Sequence, residues 1–166
     1  MNFHSRLPQT LLRLSVLCAA LGAAYSTSAQ QLPPFTLNPA GSTPALVGTQ
    51  VRADNIIVSD FSTVRLTGPT FSDTGFLSVQ SFQLAGTTVT AGGLNSTYGL
   101  FFEFTGTGTV TAANPATTPT FGQFSSLTYT LYGYNGAAAN FGFDAADNPT
   151  TSVGAGSRVA LATGAL

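Results

Sequence analysis

Chemistry-bearing side chains are scarce in this chain. The only histidine, His4, and the only cysteine, Cys18, lie in the first 29 residues, and lysine and tryptophan are absent throughout. Without histidine beyond that point, a Ser-His-Asp triad cannot be assembled there. Without cysteine, thiolate nucleophiles, His/Cys zinc sites and disulfides are excluded as well. Stability must then come from burial and strand pairing. Charge is equally sparse. Charged residues make up 7% of the chain, against about a quarter in an average globular protein. Glu103 is the only glutamate.

The first 29 residues read as a secretory signal. Arg6 and Arg13 precede a short apolar run, Leu14 to Ala24, and small residues follow up to Ala29, where cleavage is expected. The run is too short for a transmembrane helix, which needs about 20 apolar residues. Leu17, just before Cys18, is too large for a lipoprotein signal. No second apolar segment follows, so the mature chain is expected to have no membrane span. From Gln30 onward, three arginines (Arg52, Arg65, Arg158) stand against six carboxylates, a net charge of −3. That balance lacks the basic footprint of nucleic-acid binding. Few charges also mean little repulsion between molecules, so self-association is expected.

Threonine, valine and phenylalanine are abundant, and no amphipathic helix is evident; these are strand preferences. Residues 30–44 form a Pro-rich lead-in containing a short strand, Phe35–Leu37, and residues 45–166 form one β domain. Asn55–Ser59 and Ser62–Leu66 read as two strands separated by Asp60. Phe76–Leu84 reads as a longer strand with a broken alternation. Leu77 and Val79 share one face and Phe82 and Leu84 the other, which a bulge near Gln80–Ser81 would reconcile. The clearest alternation runs over Tyr98–Ala112. Tyr98, Leu100, Phe102 and Phe104 fall on one face, and Phe101, Glu103 and Thr105 on the other. Gly106 and Gly108 mark close packing or a bend. Gln123–Tyr134 repeats the pattern, and Asn135-Gly136 supplies a turn. A polar loop, Ala145–Gly156, precedes a last strand, Arg158–Leu161. The expected fold is all-β: an antiparallel β-sandwich or jelly-roll-like domain behind a cleavable signal helix.

Few residues remain for chemistry. Glu103 could serve a two-carboxylate glycosidase, but nothing specifies its partner, and a solvent-facing strand residue is the simpler reading. Asp144 and Asp147, in Asp144-Ala-Ala-Asp147-Asn148, are candidate calcium ligands, because hard cations take carboxylate, amide and carbonyl oxygens. The run is not an EF-hand, and an acidic turn before Pro149 is the simpler reading. Asn95-Ser-Thr97 is a formal glycosylation triplet that reads better as a turn. The Thr/Ser-rich stretch Thr105–Thr120 could carry O-glycans or simply favour strands. Tyr132 and Tyr134 could stack on sugars or belong to a second buried face. No catalytic residue and no cofactor other than calcium is expected.

A series of segments carries a resemblance. Phe35-Thr-Leu-Asn-Pro39 is followed by Val51-Arg-Ala-Asp-Asn-Ile-Ile57, Tyr98-Gly-Leu-Phe-Phe-Glu-Phe-Thr-Gly106, Leu127-Thr-Tyr-Thr-Leu-Tyr132 and Val159-Ala-Leu-Ala-Thr-Gly164. In this order they resemble the flocculation-associated PEP-CTERM proteins of Gram-negative bacteria. The resemblance implies a non-enzymatic protein, secreted or at the cell surface, that promotes cell aggregation through exopolysaccharide or other matrix partners. The family's Pro-Glu-Pro sorting tail has no counterpart before Ala165-Leu166, which reads as a truncation or as a variant without the sorting signal. The alternative expectation is a carbohydrate- or calcium-binding β-sandwich module without catalysis.

Overall fold

Alternating apolar and polar side chains, interrupted by Gly-containing turns, produce ten strands in the computed structural model, which describes residues 32–111 and 121–166. The signal-peptide reading, and Ala112–Thr120 of the Thr/Ser-rich stretch, lie outside the described residues. Residues 32–166 form one compact unit. The strands are β1 (Phe35–Leu37), β2 (Val51–Ala53), β3 (Asn55–Thr67), β4 (Thr70–Leu84), β5 (Thr87–Val89), β6 (Tyr98–Thr111), β7 (Phe121–Asn135), β8 (Phe141–Phe143), β9 (Pro149–Thr151) and β10 (Val159–Ala165). The fold is all-β and antiparallel, with a sandwich-like arrangement of unequal layers. A six-stranded sheet runs in the order β10-β7-β6-β4-β3, with β5 paired to β4. Two-stranded ribbons, β1-β2 and β8-β9, complete the structure.

The large sheet is a meander, so each long strand pairs with a near neighbour in sequence. Residues 55–67 form one strand rather than two. Asp60 stays in the ladder opposite Leu77, with its carboxylate accepting from the Ser62 hydroxyl at 3.2 Å. β4 starts at Thr70, six residues before the expected strand, because Gly68-Pro69 closes a tight hairpin with Gly68 at φ +59°. The expected bulge is present: Ile57 pairs with Ser81 and Val58 with Val79, leaving Gln80 as the extra residue. Val79 and Phe82 then point into the same core.

That core lies on the first face of the sheet. Val79, Phe82, Tyr98, Leu100 and Leu131 pack there against Val51 and Ala53 of β2 and Leu46 of the lead-in. Phe35 and Leu37 of β1 join from the rim, so the lead-in belongs to the core of the domain. Gly48 is required by a close approach: a Cβ there would lie 2.6 Å from the Tyr98 ring. The second face holds a smaller core of Phe76, Phe101, Tyr134 and Val153, with Phe141 of β8 packed against it. The alternation of Leu100 and Phe101 along β6 is therefore the alternation between two cores.

Candidate functional site

The ribbons cover only one end of the large sheet. β3, β4, β6 and β7 run on past them for several residues. Among the described residues the first face of this projecting half is open, while the β8–β9 connection reaches Thr63 and Arg65 at the β3 edge of the second. The strand register lays out the first face in rows across β3, β4, β6 and β7. These rows are Leu66–Phe71–Gly108–Phe124, Val64–Asp73–Gly106–Leu127 and Ser62–Gly75–Phe104–Tyr129. The glycines of Thr105-Gly-Thr-Gly-Thr109 mark close packing, as expected: the Phe124 ring lies over Gly106 and the Phe71 ring over Gly108. Phe71 and Phe124 meet edge to face, with centroids 5.1 Å apart. Between β4 and β7 the side chains leave an apolar trough of about 370 Å³ lined by Leu77, Phe102, Phe104, Phe124, Leu127 and Tyr129, with Asp73 at its side. Val64 and Leu66 on β3 stand up from this face, 56% and 65% exposed. Phe124 and Tyr129 are 38% and 39% exposed.

Asp73 is the polar exception in the trough. Its Oδ1 is buried without a hydrogen-bond partner. Desolvation, with the Asp60 charge as the lesser cause, pushes its carboxyl above the usual carboxylate range. The second face of the projecting half is a threonine surface. Thr105, Thr128, Thr130 and Thr163 line a shallow hollow of about 620 Å³ with Glu103 and Tyr132 on its border.

The residues singled out from the sequence are distributed differently. Asp144 and Asp147 lie on the β8–β9 connection. The Asp144 carboxylate closes its own loop, accepting from the Ala146 and Asn148 amides at 2.8 and 2.9 Å and from the Asn148 side chain. These bonds, that of the Asn148 side chain foremost, hold its carboxyl below the usual range. Asp147 turns the chain at φ +57°, and its carbonyl accepts from the Thr63 hydroxyl. Arg65 of β3 donates to the Ala146 carbonyl and the Asn148 side chain, each at 3.1 Å. The loop's oxygens thus face a guanidinium and dock the loop on β3. Among the described residues, no group of three or more acidic, His or Cys side chains is placed to hold a metal.

Glu103 faces a cation rather than a second carboxylate. Its Oε2 accepts from Arg158 Nη1 at 2.9 Å, and its cross-strand neighbours are Phe76 and Thr130. Arg158 also donates to the Val153 carbonyl and lies over the rings of Phe101 and Tyr132 at 5.5 and 5.7 Å. Tyr134 is buried, with its hydroxyl accepting from the Ala139 amide at 2.8 Å. Tyr132 stacks on Phe101, so both tyrosines belong to the second core. Asn95 is a turn residue at φ +59° whose amide donates to the Val79 carbonyl at 3.0 Å. Sequence reading missed the trough. Its signal was a strand face rich in phenylalanine on β6 and β7 with no equally long apolar partner elsewhere in the chain.

No protein family, no curated protein and no solved structure matches this chain. Among the described residues, no helix is long and apolar enough to cross a membrane.

Proposed function

We propose that this chain is an exported structural or adhesive protein that promotes cell aggregation or floc formation through the extracellular matrix. The observation that carries the reading is the projecting half of the large sheet, with an aromatic trough on one face and hydroxyls on the other. A surface of this kind suits association over an area, since it offers apolar contact and rows of hydrogen-bonding groups. The low charge supports close approach between molecules. The resemblance to the flocculation-associated PEP-CTERM proteins, with export through a signal peptide, points the same way. A host strain lacking the chain is expected to settle more slowly and form smaller flocs. Normal flocculation with an unaltered matrix would sink the proposal.

A non-catalytic carbohydrate-binding module is the second reading. It is favoured by the second face, where the threonine hydroxyls, Glu103 and the Tyr132 rim resemble the mixed polar and aromatic surfaces that suit sugar rings. Calcium has less support, because the Asp144 loop is stapled by its own amides and by Arg65. Titration calorimetry with matrix polysaccharide, with and without calcium, separates these readings: heat from the polysaccharide alone supports the module, and two flat traces remove it.

A further inference from the structure

The first face of the projecting half has a shape that suggests its occupant. The ridge, Val64 and Leu66, lies on β3. The trough, with Phe124 and Leu127 on its far wall, lies toward β7, which β4 and β6 separate from β3. A two-fold axis parallel to the strands, between β4 and β6, brings β3 of one copy opposite β7 of the other, and β4 opposite β6. The rows then match. Val64 meets the partner's Leu127, and Leu66 meets the partner's Phe124. Large residues otherwise meet small ones: Phe104 faces the partner's Gly75, and Tyr129 the partner's Ser62. An isologous interface requires this kind of match between a surface and its own rotated copy.

We propose that the first face of the projecting half is the interface between two copies of this chain, packed sheet on sheet. It makes the self-association within the proposed function specific and rests on that reading only for its biological purpose. Four strands about 4.8 Å apart and some six residues long give roughly 400 Å² of sheet plane per copy. Two such faces total roughly 800 Å², below the about 1,000 Å² that a stable interface clears, so the dimer is a weak and transient one. Charge opposes association. The projecting first face carries Asp60 and Asp73, on β3 and β4, while Arg65 is turned to the Asp144 loop and Arg158 lies in the second core. Asp73 is already held with an unpartnered oxygen, and a partner sheet removes still more water from it. The dimer therefore gains when this carboxylate is neutralised.

Sedimentation equilibrium of the exported chain, from about 1 μM to 1 mM, tests the interface. The expected result is a reversible dimer. Leu66→Asp and Phe124→Asp should each weaken it by at least about tenfold, and Asp73→Leu should tighten it by about tenfold or more. Thermal unfolding shows which variants keep the fold; if the two aspartate variants lose it, Asp73→Leu still decides through its gain. A monomer at every concentration overturns the proposal, as does a dimer indifferent to the folded variants. A monomer whose binding to matrix polysaccharide is abolished by Phe124→Asp also overturns it and assigns the face to a sugar polymer. The readout is oligomeric state, so a dimer in a protein whose deletion leaves flocculation normal would keep the interface and remove only the matrix role.

Discussion

The covered and projecting halves of the large sheet share the same strands and the same alternation, yet their side chains meet different fates. On β6, Tyr98, Leu100 and Phe101 are fully buried under the ribbons, while Phe104, a few residues later, borders an open trough. Strand periodicity decides which face a side chain joins. It does not decide whether anything lies on that face. In the covered half, three-residue strands and the lead-in convert the alternation into two cores. In the projecting half, the same pattern stays available to a partner, with aromatic rings folded over strand glycines as a partial cover.

The sharpest way to test this contrast is to truncate one apolar residue in each half. Phe82→Ala empties the centre of the first core, where the ring is fully buried, and is expected to cost about 3–5 kcal/mol. Leu66→Ala removes a side chain that is 65% exposed and should change monomer stability by less than about 0.5 kcal/mol. Urea denaturation at low protein concentration measures both. Equal losses would mean that the projecting half is as tightly covered as the rest, and the distinction between the halves would fall.

The sequence revealed much of the strand pattern and little of the covering. β6 and β7 were legible because each repeats its period of two over many residues. The bulge at Gln80 was legible because Val79 and Phe82 otherwise point to opposite faces. β2, β5, β8 and β9 were not, since three residues hold little periodicity; of the strands this short only β1 was legible, as Phe35-Thr-Leu37 inside the Pro-rich lead-in. Asp60 looked like a break because aspartate disfavours strands, yet an open face with Ser62 beside it tolerates a carboxylate. Of the candidate sites, Tyr132 and Tyr134 were visible as aromatic, with sugar stacking and a second buried face both open, because their cover, Phe141 and Ala139, comes from a segment to which the sequence pattern assigned no element. Arg158 was visible only as the first residue of a strand. Its pairing with Glu103 depends on β10 returning beside β7, which no local pattern announces.

The Glu103–Arg158 pair tests the boundary between the halves with a smaller effect. The Arg158 side chain is mostly buried, while Glu103 is 42% exposed. Glu103→Gln keeps the shape and one acceptor, so it should cost no more than about 1 kcal/mol. Arg158→Leu should cost more, because it also removes the donors to Val153 and the cation over Phe101 and Tyr132. Thermal melts of the two variants rank them. The reverse order would show that Glu103, rather than the arginine, organises this edge of the second core.

The smallest expected effect is a pH dependence with opposite signs in two places. Asp73 in the projecting half has its carboxyl raised, chiefly by desolvation and then by Asp60. A raised carboxyl is a folding penalty when ionised. The penalty is complete above the folded value and is relieved as pH falls through that value toward the unfolded one near 3.8. Asp144 has its carboxyl lowered by the Asn148 and Ala146 bonds, and contributes stability above the unfolded value that is lost as pH falls through the lower folded one. On acidification the Asp73 penalty is therefore relieved first, before the Asp144 contribution is lost. Asp73→Asn should flatten the weakly acidic part of the stability profile, and Asp144→Asn the part below it. Urea midpoints measured across the acid range at low protein concentration resolve the two. A profile for Asp73→Asn that matches the parent chain from neutral pH to about 4 would mean that the trough is wet enough to solvate its carboxylate. A second copy would then have to strip water from a carboxylate that the single chain still solvates, and Asp73 would oppose pairing more strongly than its buried oxygen implies.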